Sequence, residues 1–218
     1  MDGEFVRAGM ERKFLVPEED AQALLSAVRA QLAPDPFAGA TGEYEVHSLY
    51  LDTPDLACWR RELTGKWRLR RYGSGNMVFA EYKARPEPGR VHKRRTALPV
   101  ADCALLPMSR AGWFSQAIRK QSLAPVCNIS YHRYAFVGEG IRLTLDNEIR
   151  AARCETYIVP GEQPHTTLLT TSRVLEVKFE EELSPALEAL LSRFGLLPES
   201  FSKYRTAIER LNLSLTTF

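Results

Sequence analysis

Polar and apolar side chains alternate in seven short stretches: Glu11-Arg12-Lys13, Ser48-Leu49-Tyr50-Leu51-Asp52, Arg68-Leu69-Arg70-Arg71-Tyr72, Glu81-Tyr82-Lys83, Tyr131-His132-Arg133, Arg142-Leu143-Thr144-Leu145-Asp146 and Glu176-Val177-Lys178. Successive side chains of a strand point to opposite faces, so this period predicts strands with one charged face and one apolar or mixed face. Leu49 and Leu51 oppose Ser48, Tyr50 and Asp52, and Leu175, Val177 and Phe179 oppose Glu176 and Lys178. Strands are predicted over about Met10 to Val16, Val46 to Asp52, Val91 to Leu98, Arg153 to Val159 and Ser172 to Glu180. Turn residues at Gly73-Ser74-Gly75-Asn76, Pro86-Glu87-Pro88-Gly89 and Gly138-Glu139-Gly140 join neighbouring strands as hairpins.

A second period, near 3.6, marks the helices. Pro17-Glu18-Glu19-Asp20 opens one whose apolar stripe is Leu24, Leu25, Val28 and Leu32, before Pro34-Asp35-Pro36 ends it. A short helix follows Asp52-Thr53-Pro54, through Leu56 and Trp59, and another is predicted over Ser109 to Ser122. Ser184 and Pro185 form an N-cap and first-turn pair, with Gly195 as the C-terminal stop, and a last helix runs from about Ser202 to Leu211. Hairpin-joined strands with helices to the outside define an α+β fold on an antiparallel sheet. The charged faces fit the lumen of a closed barrel better than a solvated sheet. They are rich in Arg, which suits bidentate phosphate contacts, and hold isolated carboxylates at Glu11, Asp146 and Glu176.

Composition narrows the partners. The 218 residues suggest a single domain, and a net charge of +2 makes any strongly basic site local. No nucleic-acid motif is present, so no nucleic-acid partner is expected. The four cysteines form no CxxC pair, which points to a reducing compartment. His47, His92, His132 and His165 show no metal-ligand spacing. No apolar run approaches the roughly 20 residues that span a bilayer, and the first residues lack signal-peptide character. A cytoplasmic protein without a transmembrane segment is expected.

The seven stretches, together with Lys93-Arg94-Arg95 and Ser202-Lys203-Tyr204, occur in an order that resembles the VTC domain. This is the polyphosphate-polymerase branch of the triphosphate tunnel metalloenzymes, also called CYTH-like. The resemblance runs from about residue 10 to 211. It implies an eight-stranded antiparallel tunnel with a basic lumen, a divalent cation (Mn or Mg), and ATP and inorganic polyphosphate as partners. It implies that Lys203, Arg68, Arg70 and Lys13 carry catalysis and that Lys83, Lys93, Tyr131, Arg133, Arg142 and Ser202 bind phosphate. It places the metal on Glu176, and the inward carboxylates Glu11 or Asp146 are further candidate ligands for it.

Two departures matter. Hydrolytic and cyclase-like relatives open with Glu-x-Glu-x-Lys, whereas here Gly9 stands at the first Glu position, so one potential metal carboxylate is missing. The membrane helices and inositol-phosphate-sensing helical domain of eukaryotic members are also not in this sequence. Phosphoryl transfer asks a protein mainly for in-line positioning and charge neutralisation. Arg68 and Arg70 form a fork for neighbouring phosphates, and a carboxylate-bound metal would bridge phosphate oxygens. Polyphosphate synthesis from ATP is therefore the first reading. A metal-dependent tripolyphosphatase and a polyphosphate-binding module without turnover are the alternatives.

Overall fold

The structure, a computed structural model, describes residues 3–8, 10–87, 90–109, 112–138, 140–162, 164 and 166–215. Gly9, Pro88, Gly89, Glu139 and His165, on which parts of the sequence reading fall, lie outside these residues. In chain order the elements are β1 (Gly3–Ala8), β2 (Met10–Val16), α1 (Glu18–Arg29), β3 (Ala33–Pro34), β4 (Glu43–Asp52), α2 (Ala57–Arg60), β5 (Lys66–Tyr72), β6 (Met77–Glu87), β7 (Arg90–Pro99), α3 (Trp113–Gln121), β8 (Ala124–Gly138), β9 (Ile141–Arg153), β10 (Thr167–Leu168), β11 (Arg173–Phe179), α4 (Pro185–Arg193) and α5 (Lys203–Arg210).

All pairings are antiparallel, in the order β1-β7-β6-β5-β4-β8-β9-β11-β2, with β10 added to β9 and β3 to β8. The two edges of this path, β1 and β2, are separated by one residue of chain. Ala8 and Met10 are thus at most about 7 Å apart, and the sheet must curl until its edges meet. Lys83 on β6 reaches Glu11 on β2 at 3.3 Å, across the interior of that curl. Counted as one broken stave, β1 and β2 bring the number of staves to the expected eight. Hydrogen bonds do not complete the closure: among the described residues β1 pairs with β7 and β2 with β11, not with each other.

The outward faces carry two apolar clusters. Phe14, Val16, Leu143, Leu145, Leu175 and Val177 pack against Leu24, Leu25 and Val28 of α1 and Leu187, Leu190 and Leu191 of α4. Leu49, Leu51, Leu69 and Val78 pack against Phe114 and Ile118 of α3. Helix α4 starts as its sequence dictates: the Ser184 side chain accepts from the Leu187 amide, and Pro185 occupies the first turn.

Helix α5 departs from the expected outer position. Its Tyr204, Ala207 and Ile208 pack with Leu15, Val46, Ile129, Tyr131 and Val174, which share the inward strand faces with the charged residues. It therefore fills part of the barrel interior. Two boundaries also differ. The strand expected over Arg153 to Val159 does not form; β9 ends at Arg153. Tyr157, Ile158 and Val159 instead pack on the α3-side cluster, and the Tyr157 hydroxyl donates to the Leu123 carbonyl at 2.7 Å, so these residues are held by burial and not by a ladder. Helix α3 begins at Trp113, after Gly112 with φ 82°, and not at Ser109.

Candidate active site

Strand register arranges the inward side chains of β4 to β7 in rows. One row aligns Lys66, Lys83 and Lys93 across β5, β6 and β7. The next aligns Tyr50, Arg68, Glu81 and Arg95. A third aligns Ser48, Arg70, Phe79 and Ala97.

Glu81, 1% exposed, is the hub of this wall. Arg68 Nη2 lies 2.6 Å from Oε2, while Lys93 Nζ and Arg95 Nε lie 3.0 and 3.2 Å from Oε1. Burial alone would raise its pKa; Arg68, Arg70, Lys93 and Arg95 outweigh burial and hold the carboxyl well below the usual range. Lys83, its neighbour on β6, turns instead to Glu11. Arg70, also buried, donates to Ser48 Oγ at 3.1 Å, and Arg68 Nη1 donates to Tyr50 Oη at 3.2 Å. Burial would push the Tyr50 phenol up, but the charges of Arg68, Arg70 and Lys66 bring it down to about 8.

The facing wall comes from β2, β8, β9, β11 and α5. Arg133 grips Asp146 through two hydrogen bonds of 2.6 and 2.8 Å, and Lys203 approaches the same carboxylate at 2.5 Å. The Tyr131 ring lies beneath both cations, 5.2 Å from Arg133 Cζ and 4.7 Å from Lys203 Nζ. Lys13 sits 3.4 Å from Glu11 and 3.6 Å from Glu176, and donates to the Phe201 carbonyl at 3.1 Å. Lys178 pairs with Glu176 at 2.7 Å. Ser202 caps α5, accepting from the Arg205 amide, and its hydroxyl also receives Lys66 Nζ at 2.8 Å. Arg142 is tied to Asp35 at 2.8 Å and to the Tyr44 hydroxyl at 3.3 Å, so it meets this cluster only at its margin.

Helix α5 is anchored independently of these cations. Asp52, fully buried, accepts from the amides of Thr53, Cys58 and Trp59 at 2.7, 2.8 and 2.9 Å and from the Tyr204 hydroxyl at 2.5 Å. The Tyr204 ring stacks on Tyr50 with centroids 5.1 Å apart. Arg205 donates to the Trp59 carbonyl at 2.6 Å. The helix start is thus fixed against β4 and α2, with Ser202 and Lys203 facing the cations.

The metal expected on Glu176, Glu11 and Asp146 fits only part of that set. Both oxygens of Asp146 are taken by Arg133 and Lys203, so its place is that of a counter-ion. Glu11 and Glu176 share the inward faces of the paired strands β2 and β11. Burial raises both; the surrounding lysines, joined by Arg133 at Glu176, hold Glu11 below its ordinary value and Glu176 well below it. Ionised carboxylates are the ligand form, and one or two suffice for Mg-type ions that complete their shell with waters and substrate phosphates. Among the described residues no group of three or more His, Cys, Asp or Glu is gathered, so Glu11 and Glu176 are the carboxylates that would hold such an ion.

The expected residues thus converge, apart from Arg142 at the margin. Lys66, Tyr50, Arg95 and Lys178 are additions. Parity already sets Tyr50 on the face of Ser48 and Lys178 on that of Glu176, and could have found Lys66, two positions before Arg68, and Arg95, two after Lys93. The Asp52–Tyr204 bond carries no such signal, since it joins residues 152 positions apart.

The class defined by fold and site is an antiparallel α+β barrel with a cation-lined interior and few carboxylates. The VTC domain family model matches residues 9–212, and the chain belongs to that family. Solved structures with this fold include a candidate adenylate cyclase from Bacillus halodurans, 18% identical, with a TM-score of 0.60 over 90% of this chain and 95% of that one. A candidate adenylyl cyclase from Hippeastrum, described as having a dominant triphosphatase activity, is 16% identical, with a TM-score of 0.56 over 92% and 95% of the two chains. The PH1819 protein of Pyrococcus horikoshii matches at 14% identity and a TM-score of 0.54, over 94% and 98%. No curated protein matches the sequence. The fold is the one these solved structures share.

Proposed function

We propose that this protein, as one VTC-like domain, is a polyphosphate polymerase that transfers the γ-phosphate of ATP to a growing polyphosphate chain. The observation that carries this reading is the state of the inward carboxylates. Glu11, Glu81, Asp146 and Glu176 are each ion-paired with lysine or arginine and held below their ordinary pKa, so each is a weak base. Water attacking a phosphoryl group benefits from a base. The terminal phosphate of a chain is already an oxyanion and needs none.

In this reading Arg68 and Arg70 hold the donor phosphates as a fork, and Arg133, Lys13 and Lys203 neutralise charge from the facing wall. Tyr131 supports the Arg133 and Lys203 cations. Lys83 and Lys93 extend the positive surface beyond Arg68. Glu11 and Glu176 would hold Mn or Mg, which supplies Lewis-acid stabilisation of the phosphate oxygens when bound. The same parts would serve a tripolyphosphatase, and the activity described for the Hippeastrum protein supports that second reading.

Incubation with ATP and Mn or Mg, followed by gel analysis of the products, tests the choice. Polymer longer than the donor triphosphate is expected. Orthophosphate as the only product overturns the polymerase in favour of the phosphatase, and binding of polyphosphate without turnover leaves a binding module.

A further inference from the structure

The inward faces of β4, β5 and β6 change character along their length. After Arg70 the next inward position on β5 is Tyr72, about 7 Å further along the strand. Phe79 stands opposite Arg70, and Tyr44 lies two positions before Val46, the partner of Tyr72. The three rings meet edge to face. Tyr72 lies 5.7 Å from Tyr44 and 5.7 Å from Phe79, at interplanar angles of 68° and 64°. Two cations border them. Arg95 Cζ lies 3.6 Å from the Phe79 centroid and 5.6 Å from that of Tyr72, and Arg142 donates to the Tyr44 hydroxyl. All three rings are half-buried, and Met77, two positions before Phe79, is 38% exposed. The rings form a collar at a mouth of the barrel.

The other direction is occupied by α5. Before Arg68 the inward position on β5 is Lys66, which donates to the Ser202 hydroxyl at the start of that helix. Tyr204, Ala207 and Ile208 then pack among the inward side chains. A triphosphate lying on the Arg68–Arg70 fork therefore has its open side towards Tyr72. Phosphate calls for charge and hydrogen-bond donors, and half-exposed rings give it neither. A nucleobase presents a flat π face that an aromatic side chain can cover, whatever the base.

We infer that Tyr44, Tyr72 and Phe79 form a nucleobase subsite at this mouth, with Tyr72 as the ring against which the base of the donor nucleotide stacks. The collar adds affinity for a nucleoside triphosphate and none for bare tripolyphosphate. The inference rests on the reading above that Arg68 and Arg70 hold the donor phosphates. It does not depend on whether the γ-phosphate passes to a chain or to water.

The test compares two ligands on the full chain, a non-hydrolysable ATP analogue and tripolyphosphate, by calorimetry in EDTA so that metal-dependent turnover is stopped. Tyr72→Leu removes the ring and is expected to weaken the analogue about tenfold, within the range of one base–aromatic stack, and tripolyphosphate far less. Tyr72→Phe keeps the ring and is expected to keep both affinities, and circular dichroism checks that both variants fold. The unaltered protein supplies a second measurement: saturation-transfer NMR should mark the adenine protons of the bound analogue more strongly than those of the ribose. An unchanged analogue affinity in Tyr72→Leu overturns the subsite, as does an equal loss for the two ligands or an adenine marked no more than the ribose. If the unaltered protein releases only orthophosphate from ATP while the analogue alone depends on Tyr72, the polymerase reading falls and the nucleobase subsite stands.

Discussion

Glu81 shows how one buried residue sets the spacing of several cations. Arg68, Lys93 and Arg95 converge on it, and its side chain is shielded from water. Removing one partner of a buried ionic cluster strands the others, at a cost of about 3–5 kcal/mol. Glu81→Gln should lower unfolding stability by about that amount in urea titrations, and saturating tripolyphosphate should restore more stability to this variant than to the unaltered protein. An equal gain in both would mean that the cations Glu81 gathers do not meet phosphate. Tyr50 offers a pH signature. With its phenol brought down to about 8 by Arg68, Arg70 and Lys66, it gains negative charge as pH rises through that value. A bound triphosphate favours the neutral phenol, so binding takes up a proton and affinity falls above pH about 8. Tyr50→Phe should flatten that part of the profile measured by calorimetry; an unchanged fall would assign it to another group.

At the scale of elements, α5 is the piece whose role the sequence conceals. The Ser202 cap and the stripe of Tyr204, Ala207 and Ile208 are readable as an amphipathic helix, but a stripe states only that one face is buried and not against which surface. The surface is the interior of the barrel, and the decisive bond, Tyr204 to Asp52, spans the chain. Tyr204→Phe keeps the ring stacked on Tyr50 and removes that bond, with an expected stability loss of about 1.5–3 kcal/mol for a hydrogen bond to a charged group. Because the bond fixes the helix that carries Lys203, kcat should fall several-fold with a smaller change in KM for ATP. A proportional change in both would assign Tyr204 to substrate binding and not to the placement of Lys203. The strands themselves were legible for the opposite reason: alternation is local, and Met10–Val16 was predicted to the residue. β1 was not, since its six residues carry too little alternation to stand out and take their place only by pairing with β7.

Over the whole molecule, alternation identified the charged faces but not their partners. Strand register decides that Glu81 serves Arg68 and Lys93, that Asp146 is spent on Arg133 and Lys203, and that three lysines form a row; none of this follows from parity alone. The same geometry concentrates charge that the totals hide. With a net charge of +2, the chain as a whole is nearly neutral, yet lysines and arginines crowd the inward faces while acids such as Glu18, Glu19 and Asp20 sit on outer helices. A cleft lined by one sign of charge focuses its field within the protein and weakens as salt shortens the screening length, from about 14 Å near 0.05 M to about 6 Å near 0.3 M. Tripolyphosphate affinity should therefore fall roughly tenfold over that range, while the thermal midpoint of the free protein moves little, because buried ion pairs are screened far less and exposed ones contribute little to stability. Titration of tripolyphosphate at several salt concentrations, in parallel with thermal melts, measures both. An affinity independent of salt would mean that the bound phosphate is held by a few short contacts alone, and that the charge gathered along the inward faces serves the fold and not the ligand.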